Sequence, residues 1–235
     1  MSASAPSGAP YGRLVTARQR SGAARPLNTQ THVLLAVAAL ARGRRGAPPR
    51  TPPTVVVALV LGAVLPDASL FVMWAQAKLA GVPEARIWGE LYYSDLWQGV
   101  GAVTNSAPLY AAVALCGWLA GGRLVDEAAR ARRTPSVALA VGAAALLHVA
   151  TDLPLHNDDG HPHFWPFSGW IYSSPVSYWD PEHYGRLWRA FEAALGLGLV
   201  ALLWRRSEAL WIEALLVLAA LVPLGTVLYF TAQLG

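Results

Sequence analysis

The chain has 235 residues and a mass of 25.0 kDa, of which 54% are hydrophobic and only 14% charged, with a mean hydropathy of +0.37. Ordinary globular chains carry roughly 25% charged residues, so a soluble domain is excluded and a multi-spanning membrane protein is indicated. The net charge of +4 does not signal nucleic acid: every basic residue except Lys78 is Arg, and most flank apolar blocks, as the positive-inside rule expects.

Met1 to Pro26 is rich in Ser, Ala, Gly and Arg, lacks a signal-peptide core, and reads as a disordered tail. The transmembrane domain is expected over 27–235. Its first apolar run, Thr31 to Ala41 with the residues from Leu27, makes a helix of about 22 Å, marginal for a span. Val55 to Ala80 is long enough to cross and contains Pro66-Asp67. Ala102 to Ala120, Val137 to Ala150, Ala190 to Trp204 and Ala209 to Phe230 complete an all-α bundle of about five to six spans. Cys116 is the one cysteine, so neither a disulfide nor a thiolate metal site is available.

Arginines at 42–50, at 123–133 and at 205–206 fall on one side if every segment crosses, and that side is expected to be cytoplasmic. The other side then carries the long segment 151–189, rich in His, Asp and aromatic residues. Five of the six histidines lie between His148 and His183. His148 and Asp152 are four apart on one helix face, and Pro154 is expected to end that helix. His156, Asp158, Asp159, His161 and His163 follow within eight residues. Pro162 is expected to hold its neighbours extended, so that His161 and His163 point the same way.

Imidazole with carboxylate suits Zn, Mn, Fe or Ni, and a solvated polar loop is the bland alternative. Asp67 sits deep in its helix, where a carboxylate must be neutral, paired or metal-bound. A structural partner for an Arg or a backbone group is its alternative role. His32 opens the first run, as ligand or as cap. If all six segments cross, His32, Asp67, His148 and Asp152 converge on one level.

Asp180-Pro181-Glu182 reads as a helix cap in preference to a ligand, while His183 is a further candidate. Trp165, Trp170, Tyr172, Tyr178, Trp179 and Trp188 read as interfacial anchors or as the lining of a lipid pocket.

Thr31-His32 opening the first helix, Pro66-Asp67 inside the second, His148 to Asp152 ending a later one and the following Pro166-Phe167 together resemble the bacterial inner-membrane, metal-dependent hydrolase family. The resemblance implies His32, Asp67, His148 and Asp152 as metal ligands, with water as the nucleophile. Many members carry a His-Ser pair opening the middle helix; Thr104-Asn105-Ser106 stands there instead, so His156, His161 or His163 replaces it or the site is altered.

The expectation is a membrane-embedded hydrolase with a divalent metal, zinc first and Mn or Fe next. Asp152, Asp158 or Asp159 would take the water proton, and a lipid-like ester or phosphoester would be the substrate. The rivals are a proton or metal transporter using Asp67, His148 and Asp152, and a non-catalytic scaffold clamped by a metal. The expected surroundings are the lipid bilayer of the bacterial inner membrane, with the site toward the non-cytoplasmic face.

Overall fold

A computed structural model describes residues 29–41, 51–122, 136–207 and 209–234. The expected tail at 1–26 and the arginine stretches at 42–50 and 123–133 lie outside the described residues. Among those described, the protein is helical, with no strand. The main helices are α1 (Thr29–Leu40), α2 (Pro53–Leu79), α3 (Asp95–Thr104), α4 (Ala107–Gly122), α5 (Val137–Asp152), α6 (Gly185–Trp204) and α7 (Leu210–Leu234).

Four stretches are long and apolar enough to cross a membrane: Pro53–Leu79, Asp95–Ala120, Val137–Leu155 and Gly185–Trp204. Thr29–Leu40 and Ile212–Gly225 are shorter apolar helices. The segment expected as one helix from Ala102 to Ala120 is instead two, parted at Asn105–Ser106. Ser106 restarts the helix by accepting Leu109 N–H at 3.2 Å while its own hydroxyl donates to Trp165 O at 2.5 Å. The same residue therefore caps α4 and ties down the loop above it.

α5 is the central helix, packed against α1, α2 and α4. Ser136 starts it, accepting Leu139 N–H at 3.1 Å and donating to Gly117 O at 2.9 Å. Small residues bring the backbones close: Ala36, Ala58, Ala63, Ala140 and Ala144 form one core with Val55 and Leu59. Gly62 is a close approach of α2 to α5, since a Cβ there would lie 2.3 Å from Val141 O. Gly62→Ala is expected to push α2 off α5 and to lower stability by roughly 1–3 kcal/mol, as overpacked cores do. A thermal melt in detergent checks this, and an unchanged midpoint would show that the helices yield freely.

α2 runs unbroken through Pro66 and on for about 18 Å beyond Asp67. Its far half, α3 and the turn Glu84–Leu91 make an upper layer around Ala77, Ile87, Trp88 and Trp97. α5 stops at Asp152 and tightens into the turn Leu153–Leu155, as the proline requires. The chain then doubles back over the bundle. Ser174 N–H donates to His156 O at 2.8 Å, Tyr178 N–H to Leu155 O at 3.1 Å, and Ala107 N–H to His163 O at 2.9 Å. At the opposite end, Arg206 donates to Ala38 O at 2.7 Å, so α6 and α1 finish together there.

Candidate metal centre

The start of α1, the middle of α2 and the end of α5 meet beneath this cover. His32 Nε2 lies 3.1 Å from Asp152 Oδ1, and His148 Nε2 lies 3.2 Å from Asp152 Oδ2. His32, His148 and Asp152 each offer a ligand atom within 4.8 Å of the others, and all three are buried. Ligands at about 2.0–2.1 Å around a tetrahedral ion stand about 3.3 Å apart, so this spacing matches the edges of a coordination shell. Asp67 is at the rim: its Oδ1 is 3.7 Å from His148 Nε2, while Oδ2 takes the Thr29 hydroxyl at 2.5 Å.

Hydrogen bonds behind the rings set the tautomers. His148 Nδ1 is 2.6 Å from Ala63 O, and a carbonyl only accepts, so Nδ1 carries the hydrogen. The Thr151 hydroxyl donates to Leu147 O and His148 O at 2.9 Å each, so it accepts from His32 Nδ1 at 3.1 Å. In the neutral rings both Nε2 lone pairs therefore face the Asp152 carboxylate. Such an arrangement needs a positive charge between its parts. One proton on His148 Nε2 would fill one gap as a hydrogen bond to Asp152 Oδ2, and a second proton on His32 would put two imidazolium rings in a stack with centroids 3.9 Å apart. One divalent cation satisfies the same atoms without that repulsion, and the carbonyl and hydroxyl behind the rings are the usual outer support of metal-bound histidine.

Beside the triad is a small cavity of about 30 Å³ that Asp152 also lines. Asp67, Asp152, His156, Asp159, His161 and Asn105 line it together with Leu70, Trp88, Tyr92, Tyr93, Tyr178 and Trp179. Asp152 Oδ1 faces His32 at 3.1 Å, His156 Nε2 faces Asp152 Oδ2 at 3.5 Å and His156 Nδ1 faces Asp159 Oδ1 at 3.0 Å, all in buried ion pairs. His161 Nδ1 is buried without a hydrogen-bond partner. Burial alone would push His156 down, but the Asp159 and Asp152 carboxylates reverse this and hold it well above the ordinary range. Burial pushes Asp159 up, and His156 beside it brings it below the usual carboxylate value. Burial and the neighbouring His156 and His163 depress His161 to about 3, so it is neutral and free to ligate.

Several expected residues fall elsewhere. His163 does not point with His161. Its N–H donates to His161 O at 2.9 Å, which makes a tight γ-type turn at Pro162 in place of extended chain. The two rings stand edge to face, and His163 Nδ1 goes to Asn105 O at 3.2 Å. Asp158 is outside the cavity lining, where burial and Asp159 raise its pKa. Asp180 is a cap: it accepts Glu182 N–H at 2.9 Å and pairs with His183 at 2.6 Å, which keeps His183 from the centre. Asn105 spends its side-chain N–H₂ on Pro66 O and Gly101 O at 3.3 and 3.1 Å, holding α3 against α2.

The aromatic residues divide. Trp165, Trp170 and Tyr172 are exposed, whereas Tyr178 and Trp179 line the cavity. Trp88, Tyr92 and Tyr93 join them from a segment the motifs did not single out; only its density of aromatic residues beside Glu84 and Glu90 marks it. Thr29, Thr151 and the Ala63 carbonyl carry no sequence signal of their own.

No curated protein and no solved structure matches the chain. The profile of the YdjM inner membrane protein family matches residues 27–234, which takes in all seven helices and every residue of the centre. The chain belongs to the YdjM inner membrane protein family.

Proposed function

We propose that the protein is a membrane-embedded hydrolase that holds a divalent cation, zinc first among the N/O-preferring ions, on His32, His148 and Asp152. The observation that carries this is the pair of Nε2 atoms meeting one buried carboxylate at 3.1 and 3.2 Å. A bound divalent cation supplies Lewis acidity, activating water and polarising an ester or phosphoester oxygen. Asp67 takes the proton. It is the carboxylate at the rim of the triad, it borders the cavity, and the Thr29 hydroxyl fixes its orientation.

Tyr92 and Tyr178 are held well above the ordinary phenol range by burial and the nearby carboxylates, so they remain O–H donors at any working pH. Tyr92 spends its hydrogen on Asp159 O at 2.8 Å, which leaves Tyr178 to meet a substrate oxygen. The aromatic residues around the cavity mouth and a bilayer setting support a lipid-like ester or phosphoester. Arg205 and Arg206 at the opposite end support a cytoplasmic location for that end, with the site toward the other face.

A proton or ion path would spread its ionisable groups along the bilayer normal, and a compact triad with an adjoining cavity favours catalysis over that reading. The open cavity likewise favours catalysis over a closed structural clamp. The test is hydrolysis of phospholipid and of long-chain carboxylic ester in mixed micelles by zinc-loaded protein. Turnover that disappears in His148→Ala supports the reading. A fully loaded, folded protein inert toward both substrate classes would overturn it.

A further inference from the structure

Residues 164–179 include no Asp, Glu, Lys or Arg, although the stretch before them is dense in His and Asp. Within them Phe164, Trp165, Phe167, Trp170, Ile171 and Tyr172 are all exposed, Phe167 at 84% and Trp170 at 53%. Large apolar side chains crowded into one short loop make a surface that water does not satisfy, and such surfaces mark contact with lipid or protein.

The loop is built to hold these rings outward. Phe167 and Ser168 N–H both donate to Phe164 O, at 2.9 and 3.1 Å, and Trp165 N–H donates to Pro162 O at 3.1 Å. The Trp170 ring stands between those of Phe164 and Tyr172, with centroids 5.9 and 5.8 Å away. On one side the Ser106 hydroxyl holds Trp165 O at 2.5 Å. On the other, a Cβ at Gly160 would meet Ile171 Cγ2 at 3.0 Å and Tyr172 O at 3.1 Å, so the loop is pressed on the backbone between Asp159 and His161.

The level of the loop says what covers it. Ser106 immediately precedes α4, whose 16 residues run about 24 Å to Gly122. The hydrocarbon core of a bilayer is about 30 Å thick, so a loop tied to the start of α4 stands close to the plane where acyl chains give way to headgroups. α4 exposes Leu109, Leu115 and Trp118, which lipid covers in a membrane span, and the loop continues that surface. Irregular backbone does not face lipid inside the hydrocarbon, which places the loop at the boundary, where Trp and Tyr concentrate. The absence of charge also suits acyl chains better than the polar rim of a protein interface.

We propose that residues 164–172 form a membrane-insertion loop, whose side chains, Phe167 foremost, sit among the headgroups and upper acyl carbons of the leaflet on the side of the centre. Through Ile171 on Gly160, the leaflet then holds the segment that carries His156, Asp159 and His161. This inference goes beyond the hydrolase reading and needs neither metal nor turnover.

Spin labelling of the full chain in phosphatidylcholine vesicles tests it. Phe167→Cys is made together with Cys116→Ser, a nitroxide is attached, and its collisions are measured with oxygen, which concentrates in hydrocarbon, and with a neutral nickel chelate supplied to both sides in water. A label on the native Cys116, exposed on α4, gives the hydrocarbon reference. The Phe167 label is expected to collide severalfold more with oxygen than with the chelate. Collisions dominated by the chelate would overturn the proposal, and so would a label that meets neither, since the loop would then be covered by protein. Trp170→Cys, read by the same ratio, decides the matter if Phe167→Cys does not fold, as judged by its elution.

Discussion

Asp152→Asn is expected to empty the centre and to lower hydrolysis about a thousandfold or more, the largest effect of any single exchange in the chain. Asp152 is the point on which His32, His148 and His156 converge, at 3.1, 3.2 and 3.5 Å. Asparagine keeps the volume but turns one oxygen into an amide N–H₂, which can donate to the imidazole on its side, and it removes the charge that attracts a cation. The fold should therefore survive while the metal is lost. Asp67→Asn is the informative contrast. As proton acceptor at the rim it should keep its metal and lose about 10²- to 10⁴-fold in rate. Zinc content measured beside initial rates separates the two. Wild-type zinc and rate in Asp152→Asn would remove the basis of the centre, and zinc lost from Asp67→Asn would make Asp67 a ligand instead of a base.

The residues that meet at the centre were readable because each violates its surroundings. A carboxylate deep in an apolar helix and a His-Asp pair one turn apart at a helix end are costly unless used, and both cost and spacing are properties of sequence. The convergence of Asp67 with His32 and Asp152 followed from counting spans, even though the first helix is only twelve residues long. Hydroxyls and carbonyls stayed hidden. Thr151 and Thr29 resemble ordinary helix threonines, and the Ala63 carbonyl is visible only once α2 and α5 are docked. His161 and His163 were misread as a pair because a proline between two residues was taken to mean extended chain. The hydrogen bond from His163 N–H to His161 O reverses the direction there, a choice made by the docking of His163 on Asn105. Asn105 joins two helices through its amide and stands where the middle span breaks.

Removal of the metal should destabilise the protein, and more so as pH rises. A ligand bound only by the folded state adds about 2.7 kcal/mol at a concentration one hundred times its Kd, so chelation should visibly lower the thermal midpoint in detergent. The pH dependence follows from what takes the metal's place. Without it, protons on the imidazoles must offset Asp152 and Asp159. His156, held well above its ordinary range by those carboxylates despite its burial, is the main such group outside the spans. A raised folded-state pKa contributes stability that is complete below the unfolded value and is lost as pH climbs through the folded one. The metal-free form should therefore weaken from near neutrality upward. The loaded form has a cation in that place, and its affinity grows as proton competition fades. The gap between the two midpoints should widen steadily from pH 6 to pH 9. Asp159→Asn should flatten the metal-free slope, because it removes the carboxylate that does most to keep His156 protonated. Coincident melts with and without chelator across this range would mean that nothing but protons balances these carboxylates, and the lone pairs of His32 and His148 would then need an explanation without a cation.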